Sequence, residues 1–241
     1  MSQEGSTFTL KKRFVILCEG DADRVFFERL LSAKNIDDFD IPPHDYLVDA
    51  KTKKKFTGWN SLGYMLTALH GDPSGYQRLK GVLVVADASG NAANRFAEVC
   101  KKLKSDGPIR PKNDFVLPVA PNVVVVQPVG HPKLSVMLLP IGETGALETV
   151  CARAISSKHD WIDACVNAYL QCGEIKALGW DAEKRDKARL QCMIAALHED
   201  DPNRGIAHLL KANAPIVDFN DAVFDPIVSQ IELFRDTVNA A

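Results

Sequence analysis

The chain is 241 residues long, and none of its 6 cysteines is spaced as CxxC, which argues against a zinc ligand pair or a disulfide framework. It has no excess of charge of one sign. Lys and Arg number 29 against 31 Asp and Glu, for a net charge of −2. That balance gives no global attraction to nucleic acid or to an anionic membrane, so any basic surface must be local. No run of about 18 apolar residues occurs, and the opening MSQEGSTFTLKKR has no apolar signal core. A cytoplasmic chain that neither spans a membrane nor is secreted is expected. Two further motifs are missing: the GxxxxGK[ST] loop of an ATPase and the GxSxG elbow of a serine hydrolase. Cys18 lies inside an apolar run with no evident histidine partner, which leaves a cysteine hydrolase without support. What is present is ordinary for a soluble globular protein, with 46% hydrophobic and 25% charged residues. Disorder is excluded, and a chain of this length can bury a full core.

The apolar runs predict strands. Phe14-Val15-Ile16-Leu17-Cys18 is short, rich in strand formers and uninterrupted, as a strand buried on both faces should be. Asp45 to Asp49, Gly81 to Ala86, Val123 to Val126 and Leu134 to Leu139 are the other candidates, the last two joined as a hairpin or antiparallel edge element through Gly130 and Pro132. Helical spacing appears in Val25, Phe26, Phe27, Leu30 and Leu31, in Leu62, Met65, Leu66 and Leu69, and from Ala92 to Leu103. The proline-rich stretch from Pro108 to Pro121 reads as a loop. From Gly145 onward only helices are expected, near 145–157, 159–172, 182–198, 204–211 and 222–238. The alternation predicts an α/β fold over 1–145, with a mainly parallel sheet covered by helices on both faces. An all-helical extension, 146–241, packs on that sheet.

In such sheets function gathers at the carboxyl ends of the strands, where strand order reverses. Three segments place acids there: Glu19-Gly20-Asp21-Ala22-Asp23, Asp87-Ala88-Ser89-Gly90-Asn91, and Pro140 to Glu148. Brought together, Glu19, Asp23, Asp87 and Glu148 would repel one another unless a cation sat among them. Oxygen ligands of this kind select Mg²⁺ or Mn²⁺ over zinc. Structural readings stand beside the functional one. Asp21 and Asp23 can cap the following helix, Asp87 can be a strand-end turn residue, and Glu148 can belong to a helix start.

Glu19-Gly20-Asp21-Ala22-Asp23 resembles the E-G-x-x-D signature of Toprim domains, found in topoisomerases, primases and the nucleases of the overcoming-lysogenization-defect family. Val84 to Ser89 resembles the Toprim D-x-D segment, with Ser89 where the second aspartate is expected. Pro140 to Glu148 and the helical tail from Lys187 to Phe234 are similar to a bacterial Toprim-related family of unknown function. The resemblance implies Glu19 as general acid/base or metal contact and Asp87 as the first metal-binding aspartate. Asp23 and Glu148 would be further carboxylate ligands. It also implies phosphodiester chemistry on nucleic acid, with a separate ATPase chain as partner. Losing the second aspartate favours one Mg²⁺, or a site completed by the substrate phosphate, over tight two-metal binding.

A polyanion needs basic residues around such a site. Lys51, Lys53, Lys54 and Lys55 form one candidate nucleic-acid-binding cluster, and Lys101, Lys102, Lys104, Arg110 and Lys112 a second. Trp59 and Tyr76 are candidates for stacking on bases. Both clusters also read as plain solvated charge. His131 is a loop proton carrier or a simple turn residue, His159 and His198 are surface helix ends, and Trp161 and Trp180 are packing anchors of the helical tail. A phosphoacceptor receiver domain shares the acidic strand ends. It also needs a lysine ending the last strand, where this chain has Pro140. A non-enzymatic competitor remains: a degenerate Toprim-like module that binds nucleic acid or a partner protein without cleaving.

Overall fold

The computed structural model describes residues 8–43, 62–104, 115–198, 203, 205–211 and 216–240. Four strands form one sheet: β1 (Phe14–Leu17), β2 (Phe39–Asp40), β3 (Gly81–Asp87) and β4 (Lys133–Leu139), in the order β2-β1-β3-β4. Every pairing is parallel, with Phe14 opposite Phe39 and Gly81, and Gly81 opposite Lys133. Side chains alternate across the pleat, so each strand feeds two cores. Phe14, Ile16, Leu83, Val85, Met137 and Leu139 line one face of the sheet. Val15, Leu17, Val82, Val84, Val136 and Leu138 line the other. Strands buried on both sides have no polar face, which is why they read as unbroken apolar runs.

The first face is covered by α1 (Asp21–Ala33), α5 (Leu147–Lys158), α6 (Asp160–Leu170), α8 (Ala182–Leu197), α9 (Ile206–Lys211) and α10 (Asp225–Ala240). The short α7 (Gly173–Ala177) follows α6. The second face carries α2 (Leu62–Ala68), α3 (Pro73–Arg78) and α4 (Ala92–Lys104). The helices from Leu147 onward thus share one core with α1. Phe26 meets Phe224 at 5.4 Å between ring centroids, and Phe14 meets Phe234 of α10 at 6.1 Å. Gly81 makes the second contact feasible, since a Cβ there would lie 2.7 Å from Phe234 Cζ. The chain leaves β1 through α1 on one face and β3 through α4 on the other. The crevice between the carboxyl ends of β1 and β3 is therefore the switch point of the sheet.

The strand predicted at Asp45–Asp49 lies outside the described residues. Elsewhere the structure departs from expectation in four places. Phe39–Asp40 forms a strand that pairs with β1. Val123–Val126 is not a strand. Only Val125 bridges, antiparallel, to Leu134; Pro121 and Pro128 flank the segment and Asn122 takes a positive φ of 63°. The hairpin reduces to that bridge. The short helices α3 and α7 were not anticipated. Trp161 is 54% exposed and anchors nothing, whereas Trp180 packs against the core as expected.

Candidate functional site

Three strand-end segments converge on the switch point. After β1, Gly20 takes extended backbone at the start of α1, and its N–H donates to Asp23 Oδ2 at 3.0 Å. Asp23 therefore caps the helix with one oxygen, as its structural reading anticipated, yet remains within electrostatic reach of Glu19 and Glu148. Asp21 turns outward to Arg24 and Lys211. At the end of β3, the Asp87 N–H donates to Glu19 Oε1 at 3.3 Å, which fixes the first two carboxylates side by side. Asp87 Oδ1 accepts the N–H of Leu147 at 2.9 Å. It thus sits on the N-terminus of α5, where the helix dipole favours a negative charge.

The third segment reaches the site by a sharp turn after β4. The Leu139–Pro140 peptide is cis, and Gly145 has a φ of 135°. A Cβ at Gly145 would lie 2.6 Å from Thr149 Oγ1, so the turn has no room for a side chain. Gly145 and Ser89 exchange backbone hydrogen bonds of 2.7 and 2.9 Å, which ties the loop after β3 to the loop before α5. Ser89, at φ 52°, thus contributes its main chain where the resembled motif has an aspartate. Thr149 completes the start of α5, accepting from Ala146 N–H at 3.0 Å and donating to Asp186. Glu148 lies in that first turn without closing the cap. Glu143 points away, paired with Arg153 at 2.6 Å.

Burial and mutual repulsion strain these acids. Burial raises the Glu19 carboxyl to about 7, with Arg95 opposing and Asp87 adding to the rise. Burial, then Glu19 and Glu148, raise Asp23 to about 7. Burial, then Asp23 and Glu148, raise Asp87 to about 7, with Lys187 opposing. Carboxyls so displaced bind protons or cations more readily than surface acids do. Among the described residues, no group of three or more His, Cys, Asp or Glu stands in an arrangement that could hold a metal ion.

Two cations reach this site that the sequence reading did not assign to it. Arg95, from the start of α4, donates from Nη2 to Glu19 Oε1 at 2.6 Å and from Nε to the Asp87 carbonyl at 3.1 Å. Lys187 of α8 interacts with Glu148 and Asp87, its ammonium also bound to Glu183 at 2.6 Å. One signal for Arg95 was available. Asn91 caps α4 by accepting the Asn94 N–H at 2.9 Å. That leaves an arginine in the first turn, against the helix dipole, which calls for an anionic partner.

The basic candidates fare differently. Lys51, Lys53, Lys54, Lys55, Trp59, Arg110 and Lys112 lie outside the described residues. Lys101, Lys102 and Lys104 occupy the last turn of α4, about 14–18 Å along the helix from its start, and so do not share the carboxylate end. Tyr76 is not a stacking platform. It is 8% exposed, its hydroxyl lies 2.9 Å from His131 Nδ1, and its ring lies 4.0 Å from that of His70. No described helix is long and apolar enough to cross a membrane.

No curated protein and no solved structure matches the chain. A family model described as "Protein of unknown function (DUF3226)" matches residues 13–234, which takes in all four strands and every site residue named above. The chain belongs to the DUF3226 family.

Proposed function

We propose that this chain is a Mg²⁺- or Mn²⁺-dependent, Toprim-like phosphodiester-processing protein that acts on nucleic acid. The observation that carries the reading is the convergence of Glu19, Asp23, Asp87 and Glu148 from three segments on one switch point, where three of the four carboxyls are raised to about 7. Such a cluster is relieved by a hard cation, and its donors are all oxygens. In donor type these residues suit Mg²⁺ or Mn²⁺, and Glu19, Asp23, Asp87 and Glu148 are the ones that would hold it, although as they stand they are not yet arranged around an ion. When bound, the ion supplies Lewis acidity to phosphoryl oxygens and an acidified water.

The chain's own groups set the geometry. Leu147 N–H fixes the Asp87 carboxyl, and Gly20 N–H fixes Asp23. The Asp87 N–H holds Glu19 beside them. Ser89 brings no carboxylate where the resembled motif has its second aspartate, which favours one ion with the site completed by the substrate phosphate. Lys187 offers positive charge to that phosphate, and Lys51, Lys53, Lys54 and Lys55 are proposed to extend the contact along the strand. The resemblance to Toprim proteins that act with an ATPase makes an ATPase the proposed partner, and it would be a separate chain because this sequence has no GxxxxGK[ST] loop.

The ion pair between Arg95 and Glu19 favours a second reading, a binding module that no longer cleaves. Melting with and without millimolar Mn²⁺, together with nicking of plasmid DNA, separates the two. Cation-dependent cleavage is expected in the wild type and not in Glu19→Gln or Asp87→Asn. Oligonucleotide binding with no Mn²⁺ shift and no cleavage establishes the binding module instead.

A further inference from the structure

We propose that Arg95 is the phosphate anchor of this site, held by Glu19 as an internal stand-in until a polyanion enters. The inference rests on the phosphodiester reading above and assigns the residue that grips the substrate. Arg95 and Glu19 are 11% and 14% exposed, so the guanidinium is set deep in the crevice. A cation there is unfavourable without an anion beside it, and a helix start makes it more so. Nε is fixed on the Asp87 main-chain carbonyl at 3.1 Å, independent of any carboxylate. Nη2 holds Glu19, and Nη1 meets the 55% exposed Glu98 at a loose 3.6 Å.

A guanidinium that pairs with a carboxylate pairs equally with a phosphate, which accepts two of its N–H groups as a bidentate fork. Glu19 supplies carboxylate oxygen where that phosphate oxygen would sit. Any group that draws Glu19 away, whether a cation or the substrate's own neighbours, opens the Nη2 position to a phosphate oxygen in place of the carboxylate. The pair thus blocks idle anion binding while keeping the arginine in place.

The test measures binding of a fluorescent single-stranded DNA oligonucleotide to the full chain in EDTA, so it does not depend on a metal. Glu19→Gln keeps both hydrogen bonds and removes the competing charge, and should bind roughly fivefold tighter than wild type. Arg95→Gln should bind weaker by a similar factor. Its slope of log K against log salt should fall by about 0.7, the share of one phosphate on a single strand. Arg95→Lys should restore the slope with only part of the affinity, since an ammonium lacks the fork. In the double variant E19Q/R95Q the gain from Glu19→Gln should vanish. A gain that persists in the double variant, or an unchanged salt slope in Arg95→Gln, overturns the proposal. Should Arg95→Gln fail to fold, Arg95→Lys and E19Q/R95K carry the same comparison. Failure of the cation reading shows separately, as a wild-type melting temperature unmoved by Mn²⁺, whereas absence of oligonucleotide binding in every variant overturns both.

Discussion

The two ends of the sheet are built from similar polar residues and use them in opposite ways. At the amino end, near the starts of β3 and β4, polar groups satisfy one another. Tyr76 bonds to His131, His70 lies against Tyr76, and the ring of Phe115 closes on His131 at 5.1 Å. Asp72 accepts N–H groups from Leu10 and Gly75 and the Ser74 hydroxyl. At the carboxyl end, four carboxylates meet two cations, and three of the acids stay raised to about 7. One end spends its polarity on stability. The other leaves three acids displaced toward neutral pH, where they take up protons or cations, and it is there that the candidate site lies.

The contrast can be broken at several points. Substituting Glu19→Gln or Asp87→Asn should lower Mn²⁺-dependent cleavage by about a hundredfold or more, measured on plasmid nicking. Either change should also remove the Mn²⁺ shift in melting temperature. Gly145→Ala forces a Cβ to within 2.6 Å of Thr149 Oγ1 at a φ of 135°. It should cost about 2–4 kcal/mol in urea denaturation and misplace Asp87 and Glu148 together.

The pH response sharpens the comparison further. Glu19, Asp23 and Asp87 have folded-state values near 7, above the ordinary carboxyl range, so the native state binds protons more tightly than the unfolded chain. Their contribution to stability is present at acid pH and is lost as pH rises toward and through about 7. In EDTA the wild-type melting temperature should fall over that window, and less steeply in Asp87→Asn. At the opposite end, Tyr76→Phe removes one hydrogen bond to His131 and should cost about 1 kcal/mol, with no change in the Mn²⁺ response.

Much of this was legible in the sequence. β1, β3 and β4 appear as apolar runs because burial on both faces removes every polar alternate residue. α1 and α4 follow from apolar spacing and range, and α5 and α8 fall in the stretch from Gly145 onward where only helices were expected. Glu19, Asp23, Asp87 and Glu148 were legible through their place after strands and before helices. The remainder depended on contacts between distant residues. β2 is two residues long, too short for any periodicity. The valines at 123–126 have strand propensity, but between flanking prolines only Val125 makes a bridge. Arg95 could be tied to Glu19 only by folding, because 76 positions separate them.

The backbone rivet between Ser89 and Gly145 joins the loops that carry Asp87 and Glu148, so the main chains at those two acids are coupled. On the proposed cation reading, Mg²⁺ or Mn²⁺ should raise the melting temperature more than the larger Ca²⁺, which demands more ligands than this pair of loops offers.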